Sequence, residues 1–332
     1  MAAAPKVLIV KLSSFGDCLH VVPAVHEIKQ AWPDATIHWL TQTEYASLIA
    51  CVDPVDRVLT FNRRRALRSI GQWWPAVRAE TYEYVLDFQG LLKSAILTRL
   101  TKANRRVGPS YQREGARFAY HAVAGPRDLH RHAVDQALDT VRYLGITPGA
   151  PQFPLSFPAQ PRTEARPRVA YVATSRWPTK NVSPRWMAGV IGRVHQQVGG
   201  TAFLLGGAGE QALGEQMRAE SGYAHVVNMC GKTNLVELGS LMREIDVLVT
   251  VDSGPMHLAA ALGVPTVALF GPTDPTRTGP YGAAHHVIQN TDLSCVPCLS
   301  RTCRRPQRDH ACLRQLSIDP VVDAVCARCG TD

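Results

Sequence analysis

The sequence predicts an α/β protein built from two doubly wound domains. Short apolar runs alternate with amphipathic helical patterns along most of the chain, and one proline-rich segment interrupts this alternation. Such alternation is typical of a parallel sheet with helices on both faces. A chain of 332 residues is also long for one hydrophobic core and comfortable for two.

The first half of the chain begins with a clear strand at Val7–Val10, a continuous apolar run that suits a buried parallel strand. A turn of small residues follows, and a helical pattern then extends to Gln30. Further strands are predicted at Thr36–Leu40, Val55–Phe61 and Tyr84–Phe88, and further helices at Glu44–Ala50, Leu91–Leu100 and His132–Leu144.

The alternation stops between Gly145 and Arg168, where six prolines predict an extended linker. We therefore expect a first domain at 1–150, a linker at 151–167 and a second domain at 168–332. The second domain is predicted to have strands at Arg168–Ala173, Thr201–Leu205, His225–Asn228, Val247–Val251 and Thr266–Phe270, and helices at Ser183–Val198, Ala212–Glu220, Leu235–Glu244 and Met256–Ala261. Because ligands bind at the carboxyl ends of the strands in such sheets, we expect the active site in a cleft between the domains.

The composition excludes several classes of protein. Hydrophobic residues make up 45% of the chain and charged residues 19%, which is typical of globular proteins and not of disordered ones. No apolar run reaches the roughly 18 residues needed to span a bilayer. The start of the chain, Met1–Lys11, lacks the features of a signal peptide, so we expect a cytoplasmic protein.

The formal net charge of +9 suggests an anionic partner. Residues 99–131 hold eight lysines and arginines against two acids, and a second cluster consists of Arg63, Arg64, Arg65 and Arg68. These clusters indicate either a solvated surface or an anion-binding face. Aromatic residues do not alternate with the arginines as stacking on bases would require, so nucleic acid is not the expected partner.

Two charged residues in the first domain follow predicted strands. Asp17 ends the small-residue turn that starts at Ser13, where backbone N–H groups could approach a ligand. It is therefore either an acid that favours the helix N-terminus or a general base. Lys93 lies in a first helical turn, where a cation opposes the helix dipole, so it is either a contact for an anionic ligand or a surface lysine.

The strand ends of the second domain carry groups suited to phosphate. Thr174–Lys180 supplies two hydroxyls and a lysine, which suit a diphosphate. The glycine turn Gly206–Glu210 ends in an acid that could bind ribose hydroxyls, although the turn alone could be structural. The most specific segment is Val249–Gly263, where a buried strand ends in Asp-Ser-Gly and a helix begins at once. The first N–H groups of that helix would bind phosphate.

Together, these motifs resemble glycosyltransferase family 9, the bacterial lipopolysaccharide heptosyltransferases, over nearly the whole chain. The resemblance is carried by Val7–Lys11, Ser14–Asp17, Asp252–His257 and Phe270–Asp274. The first half, with Asp87–Ser94 and Arg106–Gly108, is most similar to heptosyltransferase I.

The resemblance implies a GT-B fold, in which two Rossmann-like domains face each other across a cleft. It also implies inverting transfer from ADP-heptose to a Kdo-lipid A type acceptor, with no catalytic metal and with peripheral contact at the inner membrane. Asp17 would be the general base, and Lys180 would act on the diphosphate. The implied donor-binding residues are Thr174, Ser175, Lys180, Glu210, Asp252, Ser253, Gly254 and His257. The implied acceptor-binding residues are Ser14, Gly16, Arg63, Arg64, Arg65 and Lys93.

Two alternatives stay open at this stage. The chain could be a family relative that uses another nucleotide sugar or a protein acceptor, or it could be a binding module without catalysis. The presence of Asp17 weighs against the second alternative.

The cysteines are concentrated at the end of the chain, where six of the nine fall within the last 38 residues. The spacing of Cys295, Cys298, Cys303 and Cys312 is ligand-like, and four thiolates could close a structural zinc or iron site. Ordinary reduced cysteines are the alternative. A similar tail occurs in heptosyltransferase II, so the resemblance leaves the exact acceptor open.

Overall fold

The computed structural model describes residues 4–62 and 70–330. The chain divides into two compact units, Met1–Ser156 and Phe157–Asp332. The boundary between the units falls inside the proline-rich segment 151–167.

The first unit is a six-stranded sheet in the order β3-β2-β1-β4-β5-β6, with every neighbouring pair parallel. Its strands are β1 (Lys6–Val10), β2 (Thr36–Gln42), β3 (Arg57–Phe61), β4 (Thr81–Asp87), β5 (Lys102–Pro109) and β6 (Ala122–Ala124). Its helices are α1 (Phe15–Leu19), α2 (Val22–Ala31), α3 (Ala46–Ile49), α4 (Ile70–Arg78), α5 (Leu92–Leu100) and α6 (Ala133–Tyr143).

The second unit is also a six-stranded parallel sheet, in the order β12-β11-β10-β7-β8-β9. Its strands are β7 (Arg168–Val172), β8 (Thr201–Leu204), β9 (Val226–Asn228), β10 (Val247–Val251), β11 (Thr266–Phe270) and β12 (His286–Gln289). Its helices are α7 (Pro184–Val198), α8 (Gln211–Glu220), α9 (Leu235–Met242), α10 (Gly254–Ala261), α11 (Pro275–Thr278), α12 (Ala311–Arg314) and α13 (Asp319–Cys329).

Both sheets have the same topology. Counted from the first strand of each unit, the spatial order is 3-2-1-4-5-6, which is the Rossmann arrangement. The strand order reverses between β1 and β4 in the first unit and between β7 and β10 in the second. Ligands bind at the carboxyl ends of the strands at this switch point, so these two positions define where each unit can hold a ligand.

The central strands form where the sequence is continuously apolar. Val7–Val10 in β1 is fully buried, as are the apolar residues of β10. The helical pattern predicted up to Gln30 is divided into α1 and α2, because Pro23 has no N–H with which to continue a helix from Leu19. Within the described residues, no helix is both long enough and apolar enough to cross a membrane.

Candidate functional site

The switch point of the first unit holds Asp17. The residue lies in α1, directly after β1, and its Oδ2 accepts hydrogen bonds from the backbone N–H of Ser14 at 2.9 Å and from its hydroxyl at 2.7 Å. Asp17 therefore closes the first turn of α1, which is the helix-capping geometry considered for it as one alternative. Gly16 is buried beside it, and Ser14 is partly buried.

Asp17 is held in its ionised form. Burial by itself would raise the pKa of Asp17, but the charges of Lys11 and His20 and the two bonds from Ser14 outweigh it and hold the pKa well below its usual range. The Lys11 side chain is buried, and its Nζ donates to the carbonyl oxygen of Phe88 at 2.9 Å. Lys11 was not among the predicted site residues, although a lysine that ends a fully apolar strand was a visible signal.

Residues after β4 connect the two sides of this switch point. Gln89 Oε1 accepts the N–H groups of Leu12 at 3.2 Å and Ser13 at 3.0 Å, which ties the end of β1 to the end of β4. Gly90 has a φ of +64°, and a Cβ there would lie 2.8 Å from Pro109 Cγ, so this turn requires glycine. The hydrogen bonds of Gln89 join segments that are distant in the sequence, so its structural role could not be predicted from its local motif.

Lys93 lies in the first turn of α5, after β4, and is partly buried. The predicted acceptor contacts Arg63, Arg64 and Arg65 lie outside the described residues. Lys93 is therefore the only cationic member of the predicted acceptor set that the described part of the chain positions.

Two members of the second basic region, residues 99–131, are engaged within the fold, while Arg99, Arg113 and Arg117 of the same region are exposed. Arg106 is largely buried and donates to the carbonyl oxygens of Thr98 at 3.1 Å and Thr101 at 2.6 Å. Arg131 pairs with Asp139 at 2.7 Å. These two guanidinium groups are engaged in holding the fold together.

The switch point of the second unit holds an ion pair. Lys180 follows β7 and Asp252 follows β10, and Lys180 Nζ lies 2.6 Å from Asp252 Oδ2. The Thr273 hydroxyl donates to the same oxygen at 2.6 Å, and the Lys180 ammonium lies 4.6 Å from the centre of the Trp177 ring. The structure thus brings together two residues that the sequence motifs singled out separately, and it adds Thr273 and Trp177.

The other predicted donor residues of the β7 and β8 ends also meet. The Thr174 hydroxyl donates to Glu210 Oε1, and the N–H of Gly207 donates to Glu210 Oε2 at 2.6 Å. The Ser175 N–H donates to Asn181 Oδ1 at 2.7 Å. This hydrogen bond therefore closes the loop that contains Lys180. Thr174 and Glu210 form one polar cluster at the carboxyl edge of the sheet.

The helix that follows Asp252 starts at this same edge. Ser253 precedes α10 and its hydroxyl lies 3.0 Å from the Thr250 hydroxyl, and Gly254 is the first residue of the helix. His257 is partly buried in the first turns of α10. The first N–H groups of the helix can therefore receive an anion beside Lys180.

The four predicted metal ligands line one cavity of about 130 Å³, together with Thr179. The structure therefore brings Cys295, Cys298, Cys303 and Cys312 to the same place. Their arrangement is not that of a preformed centre, because no three His, Cys, Asp or Glu side chains of the described chain are positioned to hold a metal ion. Burial, followed by the neighbouring thiols, raises the pKa of Cys312 to about 11.

The chain has two Rossmann-like units with charged and hydroxyl groups at their switch points, as the predicted GT-B fold requires. A solved glycosyltransferase family 9 structure from Veillonella parvula matches with a TM-score of 0.83 at 19% identity, covering 98% of this chain and 97% of that one. The Escherichia coli heptosyltransferase WaaC with ADP matches with a TM-score of 0.79 at 25% identity, covering 97% and 99%. These matches confirm the predicted fold class.

The family model of glycosyltransferase family 9 (heptosyltransferase) matches residues 70–308, so the chain belongs to this family. The lipopolysaccharide heptosyltransferase 1 of Pseudomonas aeruginosa is 29% identical over 329 residues, covering 90% of this chain and 87% of that protein. The predicted resemblance is therefore confirmed, and the chain is a glycosyltransferase enzyme.

Proposed function

We propose that this enzyme acts in lipopolysaccharide core biosynthesis and transfers heptose from ADP-heptose to Kdo of a Kdo-lipid A type acceptor. The observation that carries the proposal is an ionised carboxylate, Asp17, at the switch point of a chain that belongs to the heptosyltransferase family. The Escherichia coli relative with bound ADP supports an adenine nucleotide donor.

The second unit would bind the donor. An ammonium group has three N–H donors, and Lys180 uses one of them on Asp252, so the others can bind oxygens of the diphosphate. The hydroxyls of Thr174 and Ser175 and the first N–H groups of α10 would add further donors. Glu210 would accept from the ribose hydroxyls, and Asp252, Ser253, Gly254 and His257 would hold the heptose and its phosphates.

The first unit would bind the acceptor and start the reaction. Asp17 would take the proton from the acceptor hydroxyl as that oxygen attacks the anomeric carbon, with inversion of configuration. Ser14 and Gly16 would form the wall beside the hydroxyl. Lys93 and the arginines Arg63, Arg64 and Arg65 would meet the carboxylates and phosphates of the acceptor.

Departure of ADP leaves negative charge on the diphosphate. Lys180 and the start of α10 would stabilise that charge, so the proposed mechanism requires no catalytic metal. Lipid A anchors the proposed acceptor in a bilayer. We therefore infer a cytoplasmic enzyme with peripheral contact at the inner membrane, and with no nucleic-acid partner.

A donor and acceptor assay tests this function. ADP-heptose should bind in calorimetry and support transfer to Kdo-lipid A, while UDP- and GDP-sugars should not bind. Binding of another nucleotide sugar in place of ADP-heptose would favour the alternative of a family relative with a different donor. Tight donor binding with no transfer to any glycolipid or protein acceptor would indicate a binding module.

Replacing Lys11 with methionine is expected to move the acid limb of the kcat profile to higher pH. The Lys11 charge helps to lower the pKa of Asp17, so its removal lets burial raise that pKa. A base acts only when deprotonated. The kcat of the native enzyme should therefore fall only below about pH 4, the usual pKa of an aspartate. The kcat of the Lys11→Met variant should fall at a higher pH than that of the native enzyme.

The measurement is kcat against pH at saturating donor and acceptor. Lys102→Met is the matched control, because Lys102 is an exposed lysine of the same unit at the start of β5. An unchanged acid limb in a folded Lys11→Met variant would contradict the assignment of Asp17 as the titrating base.

We also propose that the four thiols around the cavity hold a structural zinc or iron ion. The convergence of Cys295, Cys298, Cys303 and Cys312 on one cavity supports this, and the thiols would have to rearrange to close a tetrahedron. Elemental analysis of the purified protein is the test. Stoichiometric metal in the native protein that is lost in Cys298→Ser supports the proposal. Native protein that contains no metal, with a Cys298→Ser variant of the same stability, indicates ordinary reduced cysteines.

A further inference from the structure

One exposed surface of the first unit carries large apolar side chains. Leu92 and Ile96 on α5 are 43% and 45% exposed, and Phe118 in the 3₁₀ turn Ala116–Ala119 is 57% exposed. Single exposed apolar residues are ordinary on a protein surface, but a group of them on adjoining elements indicates an interaction site.

These side chains belong to adjoining elements. Helix α5 packs on the 3₁₀ turn through a small buried cluster that includes Ala95 and Ala116. With about 100° between successive helical residues, Leu92, Ile96 and Arg99 fall within roughly 60° of one another and border the side of α5 that Ala95 occupies. The apolar stripe therefore runs along the contact between α5 and the turn.

The same surface is strongly basic. Between residues 90 and 125 the sequence has seven lysines and arginines and one acid, Glu114, and of the seven only Arg106 is buried. The Glu114 carboxylate accepts the N–H of Leu92 at 3.1 Å, so part of its hydrogen-bonding capacity is used at the start of α5. Arg99 on α5, Arg117 in the 3₁₀ turn and Arg113 just before that turn are all exposed.

We propose that this surface docks the enzyme on an anionic lipid bilayer. We call it the α5 face and define it by Leu92, Ile96, Arg99, Arg113, Arg117 and Phe118. Apolar side chains of such a face enter the boundary between headgroups and acyl chains, while guanidinium groups contact lipid phosphates. A nucleic acid would satisfy the arginines but would leave the three apolar side chains without a partner.

The docking does not depend on which sugar the enzyme transfers, because it can be measured without donor or acceptor. The probe is co-sedimentation of the full chain with vesicles of phosphatidylcholine and phosphatidylglycerol in equal parts, compared with vesicles of phosphatidylcholine alone. We expect binding to the anionic vesicles only, and weaker binding as salt is added.

Two triple variants separate the contribution of the charged side chains to vesicle binding from that of the apolar side chains. Removing all three charges in Arg99→Gln/Arg113→Gln/Arg117→Gln should weaken partitioning by about 10²-fold, since each basic residue near an anionic surface contributes about fivefold. Leu92→Ser/Ile96→Ser/Phe118→Ser should also release the protein from the vesicles. Turnover on a water-soluble acceptor fragment should be unchanged in both variants.

The matched controls are Arg57→Gln, an exposed arginine on β3, and Tyr143→Ser, a residue of α6 that is 39% exposed. Native protein that stays in solution with anionic vesicles, or triple variants that bind as well as native protein, would overturn the proposal. Loss of self-association in the serine variant, with vesicle binding unchanged, would instead assign the α5 face to a second copy of the chain.

Discussion

Replacing Asp17 with asparagine is expected to lower kcat by about 10²- to 10⁴-fold, because an amide cannot take a proton from the acceptor hydroxyl. The substitution should preserve the local structure. Both hydrogen bonds from Ser14 reach a single carboxylate oxygen, and the amide oxygen of asparagine can accept the same two bonds. The loss should therefore appear in kcat, while the Kd for ADP measured by calorimetry should not change.

A loss of stability should accompany the loss of activity. Since folding lowers the pKa of Asp17, its carboxylate contributes stability that is present above the unfolded value of about 4 and is lost as the pH falls. Asp17→Asn removes this contribution at neutral pH, and thermal melts of both proteins at pH 7 and at about pH 2, on either side of the unfolded value, will show its size.

The control for Asp17→Asn is Asp34→Asn, which changes an exposed aspartate of the same unit. This control should retain native turnover. If Asp17→Asn is folded and turns over at the native rate, Asp17 is a helix-capping acid and another group is the base.

The fold was accessible from the sequence because its central strands are continuous apolar runs. Strands β5, β6 and β12 were missed, and β5 is the clearest example. Its first residues include Lys102, Arg105 and Arg106, so the sequence indicates a basic surface where the structure has a strand. β12, at the edge of its sheet and only partly buried, was missed for a similar reason, because it lacks the continuous apolar pattern of a central strand.

The candidate site was accessible only in part, because motifs locate residues but not their partners. Lys180 and Asp252 were each predicted, yet their ion pair joins positions that are 72 residues apart. The same limit explains Arg106, whose charge suggested an anion contact. Its partners are backbone carbonyls of Thr98 and Thr101, and no sequence pattern marks a carbonyl as an acceptor.

Replacing Lys180 with methionine is expected to raise the Kd for ADP by about 10- to 100-fold and to lower kcat by about 10²- to 10³-fold. A charge-assisted hydrogen bond contributes about 1.5–3 kcal/mol, which accounts for the loss of affinity. The larger loss in kcat follows because negative charge on the diphosphate increases as ADP leaves, and Lys180 is the cation beside Asp252 at this switch point.

The substitution also leaves Asp252 buried without its ion-pair partner, which could cost about 3–5 kcal/mol of stability. The double variant Lys180→Met/Asp252→Asn removes both charges and keeps an acceptor for the Thr273 hydroxyl. It should regain stability but not turnover. The control is Lys232→Met, which changes an exposed lysine of the same unit. Its stability and its turnover should both equal those of the native enzyme. If the double variant regains native turnover, Lys180 serves only to neutralise Asp252, and the charge on the leaving diphosphate must be stabilised by α10 alone.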